Sequence, residues 1–255
     1  MIFDTHAHYD DEAFDADRED LLAAMNENGI CNIVNVGASM DSTKASVELS
    51  KKYDFMYTSV GVHPNETGEL TDNDMDTLRK LSEDKKVVAI GEIGLDYHFL
   101  EPDKDIQKNW FRKQLDVAVE TGLPVIIHSR DAANDTMSIL KEYQGKLSGG
   151  VIHCYSYSLE MAKEYIKMGY YIGIGGVVTF KNAKKLIEVA GNISLDKIVL
   201  ETDCPYLSPE PNRGKRNDST NLHYVVKKIS ELKGISEEEI IKQTYKNAID
   251  LYKLN

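Results

Sequence analysis

Short apolar runs rich in Val and Ile recur along the chain, and longer stretches with helical periodicity lie between them. The short runs are Ile2–His6, Cys31–Val36, Phe55–Val62, Val87–Ile90, Pro124–His128, Val151–Cys154, Tyr170–Ile174 and Ile198–Thr202. Each is brief, β-branched and closed by glycine or turn residues, a pattern that predicts strands. The intervening stretches predict helices near 17–28, 41–52, 72–84, 105–121, 131–143, 158–168, 181–190 and 220–233, and a last one over 236–252. Asp72 and Ser158 stand where helix N-caps are expected, and Gly29, Gly122 and Gly169 where helices end.

Strand–helix alternation implies parallel strands joined by crossover helices. Eight such units in 255 residues favour an α/β fold of the closed (β/α)8 barrel type with an additional C-terminal helix. No Pro-, Gly- or Ser-rich linker interrupts the pattern, so the whole chain, 1–255, reads as one domain. A doubly wound open sheet is the competing architecture, because alternation alone does not separate the two.

Composition adds modest limits. At 42% hydrophobic and 28% charged residues the chain can bury a sizeable core. The acidic start lacks the basic region and apolar run of a signal peptide, and no run approaches the roughly 18 apolar residues that span a bilayer. Cys31, Cys154 and Cys204 form no CxxC pair and leave an odd thiol, which fits a reducing cytoplasm. A formal net charge of −12 repels polyanions, so a nucleic-acid substrate would need a local basic or metallic site.

Candidate chemistry gathers at the C-terminal ends of the predicted strands. His6 and His8 close the first, His63 the third, Glu92 the fourth, His128 the fifth, His153 the sixth and Asp203 the eighth. Barrel enzymes place their catalytic groups at this mouth, drawn from several strands. Side chains two apart on a strand share a face, so His6 and His8 can reach one ion. Taken singly, the HxH pair is a weak signal, His128 or His153 reads first as a hydrogen-bonded core residue, and Glu92 or Asp203 reads as a cap. Their recurrence at one position of separate units favours a metal site. Imidazoles with carboxylates suit a borderline divalent ion, and six ligands (His6, His8, Glu92, His128, His153 and Asp203) suit two ions bridged by Glu92 better than one closed site. Asp4 and Glu201, each two residues before a ligand, are expected to face inward one layer deeper, either to orient an imidazole or to join a buried ion pair elsewhere in the barrel. His98 and His223 fall outside the pattern.

With these residues in view, the chain resembles the TatD-like metal-dependent deoxyribonucleases of the amidohydrolase superfamily. The matching segments are FDTHAHYD (3–10), VGVHP (60–64), IGEIGLDYH (90–98), PVIIHSRDA (124–132), IHCYS (152–156), ETDCPYLSP (201–209) and RGKRN (213–217), in the family's order. The resemblance implies a (β/α)8 barrel with one metal position on His6, His8, Glu92 and Asp203 and a second on Glu92, His128 and His153. It implies cleavage of DNA phosphodiesters, with 3′→5′ exonuclease character, dependent on magnesium or manganese, although the nitrogen-rich ligands suit zinc too. Glu92 stands where phosphotriesterase-like relatives carry a carbamylated lysine. Two loops depart from the family pattern: HCYSYS (153–158) replaces HCFSGS, and HPNE (63–66) replaces HPHE or HPHD.

On this reading Asp203 and Glu92 are the catalytic carboxylates, with Asp203 taking the proton of a metal-activated water. His63 and Arg130 contact the substrate phosphate, and Arg213, in the basic loop with Lys215 and Arg216, contacts the DNA backbone. The expected partner is DNA, single-stranded or at 3′ ends, with no membrane and a monomeric protein. An amidohydrolase, a lactonase or a D-aminoacyl-tRNA deacylase is an alternative use of the same ligands, and a non-catalytic metal-binding barrel is another.

Overall fold

The computed structural model describes residues 1–254. Eight parallel strands run in the order β1 to β8: Ile2–Ala7, Ile30–Val36, Met56–Val60, Val87–Asp96, Val125–Arg130, Gly150–Ile152, Tyr170–Ile174 and Ile198–Leu200. Helices α1 to α9 alternate with them: Arg18–Ala23, Met40–Ser50, Asp72–Leu81, Lys104–Thr121, Ala133–Glu142, Leu159–Lys167, Lys184–Asn192, Leu222–Lys233 and Glu237–Tyr252. None of the described helices is long and apolar enough to cross a membrane.

The sheet closes on itself through a short seam. The N–H of Asp203 donates to the His6 carbonyl at 2.9 Å and that of His8 to the Cys204 carbonyl at 2.9 Å, with a parallel bridge between Ala7 and Cys204. The doubly wound alternative is thereby excluded, because its edge strands would not meet.

Inside the barrel, Phe3, Val34, Val88, Ile126, Val151 and Val199 form an apolar layer, one from each of six strands. Side chains alternate along a strand, so the next inward positions after Ile126, Val151 and Val199 are His128, His153 and Glu201. An apolar floor and a polar mouth thus follow from one period. The far end of α9 seals the floor: Ala248, Leu251 and Tyr252 pack on that layer, and the Tyr252 hydroxyl donates to the Thr5 carbonyl at 2.9 Å.

The helices bury faces with the expected spacing. On α4, Phe111, Leu115 and Ala118 are buried, Asp103 caps the start by accepting from the N–H of Asp105 and Ile106, and Gly122 ends the helix at φ +70°. Ser158 caps α6 as expected, and Gly169 follows it in the left-handed region at φ +94°. Three local expectations are corrected. The α3 cap is Thr71, with Asp74 accepting both its N–H and its hydroxyl at 2.8 Å, and Asp72 is the first helical residue. Gly29 lies six residues beyond the end of α1, in the turn that leads into β2, because α1 stops at Ala23 rather than running to 28. Glu92 lies within β4, which continues to Asp96 where the sequence pattern placed its end at Ile90.

Candidate metal centre

The six expected ligands converge at the mouth. Glu92, 3% exposed, sits at the middle of the group and turns its two oxygens toward different neighbours. Its Oε2 lies 3.5 Å from His6 Nε2 and 3.8 Å from His8 Nε2. Its Oε1 lies 2.8 Å from His128 Nδ1 and 3.2 Å from His153 Nε2. Asp203 completes the first set, its Oδ1 3.6 Å from His6 Nε2 and 3.4 Å from His8 Nε2. Asp203 reaches this position from a left-handed backbone at φ +59°, a conformation Asp tolerates better than most residues.

For His8 and His128 the hydrogen bonds of the outer ring nitrogens fix which inner nitrogens are free. His8 Nδ1 donates to the Val36 carbonyl at 2.9 Å, so a neutral ring keeps its Nε2 lone pair for the cluster. His128 Nε2 meets Asp96 Oδ2 at 3.1 Å, which leaves Nδ1 facing Glu92. His153 Nδ1 lies 3.4 Å from Glu201 Oε2, which leaves Nε2 facing Glu92. Glu201 is therefore placed against an imidazole as expected, and Gly173 makes room for it, since a Cβ there would collide with the carboxylate. Asp4 is a correction. Its oxygens accept from the Thr202 N–H at 3.1 Å, the Thr202 hydroxyl at 2.7 Å, the Ser219 hydroxyl at 2.6 Å and the His6 N–H at 3.2 Å. It fastens β1 to the chain beyond β8 and touches no imidazole, because an irregularity in the β1–β2 register between Asp4 and Ala7 shifts the facing.

The donor set fits divalent ions. His6 Nε2 and His8 Nε2 stand 3.0 Å apart, close enough for one proton or one ion to be shared between them, and His6 Nδ1 is buried with no hydrogen-bond partner. Burial opposes charge on His8, yet Asp203 and Glu92 outweigh it and push the ring up to about 9. Burial likewise opposes the Glu92 carboxylate, but His153, His6 and His63 hold it well below the usual range. Asp203 is held low by His8, His153 and His6 against the same burial. His6 goes the other way, lowered by burial and by His153, so its ring stays neutral and its lone pair is available beside the two ionised carboxylates.

Above the cluster opens a cavity of about 690 Å³, with His63, Arg130, Phe99 and Tyr206 in its wall. A neighbouring lobe of about 450 Å³ shares His153 and Asp203 with it and runs under Gly173, Gly176 and Val177. His63 accepts the Asn65 N–H at Nδ1 (3.2 Å), and burial, then His128, lower its pKa to about 3. The neutral ring therefore carries its hydrogen on Nε2, 3.9 Å from Glu92 Oε1, and is a donor toward the cavity. Arg130 lines both lobes. The basic loop is placed differently from expectation. Arg213 lies over the Phe180 ring at 4.3 Å and lines neither lobe, and Arg216 pairs with Asp17 at 2.6 and 2.7 Å.

Asp96 is the functional candidate that sequence reasoning missed. It is 2% exposed, holds the His128 ring, and is itself held by Gln107, whose amide accepts the Asp96 N–H and donates to its carbonyl at 2.8 and 2.9 Å. The available signal was its even spacing from Glu92, four residues along the same strand.

Comparison with known proteins places these features in company. Residues 3–253 match the family model described as TatD related DNase. The uncharacterized metal-dependent hydrolase YabD of Bacillus subtilis is 45% identical over 255 residues, covering 100% of both chains. The 3′-5′ ssDNA/RNA exonuclease TatD of Cronobacter sakazakii is 31% identical, over 100% of this chain and 98% of its own. The crystal structure of YjjV, a TatD homolog from Escherichia coli, superposes with a TM-score of 0.93 at 30% identity, over 100% of this chain and 98% of that one.

Proposed function

The chain belongs to the TatD-related DNase family of metal-dependent hydrolases, and we propose that it cleaves DNA phosphodiesters from the 3′ ends of single strands. The observation that carries this reading is the division of Glu92 between two groups of imidazoles at the floor of one cavity. His6, His8, Glu92 and Asp203 would hold one divalent ion, and Glu92, His128 and His153 a second. Such a pair supplies an activated water near neutral pH and neutralises charge on the attacking and leaving oxygens. The name of the Cronobacter relative, a 3′-5′ exonuclease, supports the choice of substrate and direction.

The protein's own groups then have separate tasks. Asp203, kept ionised by its histidine neighbours, accepts the proton of the attacking water. His63 donates from Nε2 to a phosphate oxygen, and Arg130 offers its fork to the same phosphate. Arg213 meets the strand outside the cavity. The free state of all three cysteines fits a reducing cytoplasm.

A 5′-labelled single-stranded oligodeoxynucleotide, incubated with the protein and magnesium, manganese or zinc, should shorten from its 3′ end. The purified protein should bind close to two equivalents of metal, and Glu92→Gln should lose metal and, on the order of a hundredfold, activity. Turnover of lactones, dihydropyrimidines or mischarged tRNA with no cleavage of DNA under any of these ions would overturn the reading.

A further inference from the structure

Large apolar side chains that remain exposed gather in two places among the described residues: Phe99 and Leu100 after β4, and Tyr206 and Leu207 after β8. The strand order runs from β1 to β8 and closes between the last and the first, so β4 and β8 stand four strands apart in either direction. Two aromatic–leucine pairs therefore face each other across the mouth, with the ligand cluster between them.

Phe99 is 52% exposed and Tyr206 55%, and both line the larger lobe. Each ring is tethered to residues of the site. The Tyr206 N–H donates to the Asp203 carbonyl at 2.9 Å, and its hydroxyl donates to Asp11 Oδ2 at 2.9 Å. Phe99 has the Arg130 guanidinium 5.8 Å from its ring centre and the His98 ring edge-on at 5.1 Å. The tethers fix the rings at the rim and leave each about half exposed.

Charge decides what such rings receive. The lining of the larger lobe carries Asp10, Asp11 and Glu66 at its rim and a single basic side chain other than histidine, Arg130. Beyond the one phosphate that the metal cluster, His63 and Arg130 would hold, a nucleic acid gains little from phosphate contacts at this acidic rim on a chain of net charge −12. Base–aromatic stacking needs no cation and accepts any base, because every base presents a π-face.

We propose that Phe99 and Tyr206 are stacking platforms for the two bases that flank the scissile phosphodiester, one on each side of the mouth. The proposal rests on the phosphodiesterase reading of the cluster. It makes the protein selective for unpaired strand, since a paired and stacked base presents no free face to either ring. It also makes the bases a source of affinity in addition to the phosphate held at the cluster.

The test compares single-stranded oligodeoxynucleotides of equal length, with and without bases at the residues of the cleaved end; the abasic strand keeps its phosphates. The metal-loaded protein should prefer the base-bearing strand. Phe99→Leu, which keeps apolar bulk and loses the ring, should reduce that preference by about tenfold, and Tyr206→Ala should do the same. Tyr206→Phe keeps the ring and should keep the preference. Equal turnover of both strands by the unsubstituted protein, or a preference untouched in Phe99→Leu and Tyr206→Ala, overturns the platforms and leaves the phosphodiesterase reading standing. Failure to cleave either strand with any of the three ions overturns that reading and the platforms together.

Discussion

At Glu92 one carboxylate meets two groups of imidazoles, and the quality of each contact depends on what stands behind the ring. His128 illustrates the dependence. Its Nε2 rests on Asp96 at 3.1 Å, and Asp96 is buried and held low in pKa by that ring despite the opposing effect of burial. A carboxylate there makes the outer nitrogen the donor and leaves Nδ1 as a more basic ligand. Asp96→Asn keeps the shape and removes the charge. Metal affinity at the His128 position should fall by about 10- to 100-fold, the usual cost of losing such a partner, with secondary structure unchanged. Titration of the metal-stripped variant, followed by calorimetry, measures it. An unchanged affinity would mean that Asp96 acts only on the following loop, through the His98 N–H it accepts at 2.9 Å.

Elements place these residues through close approaches that only glycine permits. Gly173 on β7 has no room for a Cβ beside Glu201, and Gly94 on β4, at φ +148°, lies against the His128 carbonyl. Gly173→Ala should push Glu201 off His153, lower metal affinity, and cost about 1–3 kcal/mol of stability as an overpacked site. Urea unfolding with a parallel metal titration separates the two effects, and a stability loss with unaltered affinity would detach Glu201 from the metal site. The same glycines explain what the sequence concealed. The eight-strand order and the convergence of His6, His8, Glu92, His128, His153 and Asp203 were legible because each of these residues lies at the C-terminal end of a strand, where barrel strands deliver their side chains to the mouth. Asp96 was not, because Gly91 and Gly94 read as a break after Ile90, whereas they let β4 run on beside β5. Asp4 was misplaced because a register irregularity is silent in a pattern of apolar and polar positions. The partnerships of Arg213 with Phe180 and of Arg216 with Asp17 join segments far apart in the chain, which no local spacing encodes.

On the scale of the whole molecule, the first set of proposed ligands straddles the line where the barrel closes. His6 and His8 belong to the first strand and its end, Asp203 to the segment after the last strand, and few backbone hydrogen bonds join the two. An ion bound by these residues ties the first and last strands of the sheet together, joining His6 to Asp203 across most of the chain. Ligand binding to the folded state alone stabilises it by about 2.7 kcal/mol when the free ion is at a hundred times its dissociation constant. For a chain of this length, that corresponds to a rise in melting temperature of roughly 5–10 °C. Chelation should reverse the rise. Charge screening alone also stabilises a protein of net charge −12, so the comparison is with monovalent salt at the same ionic strength. The divalent ion should give the larger shift, and hydrogen exchange should show its added protection at the His6, His8 and Asp203 amides. If matched monovalent salt gives the same shift, or the protection spreads evenly over all eight strands, the ion does not act at the closure.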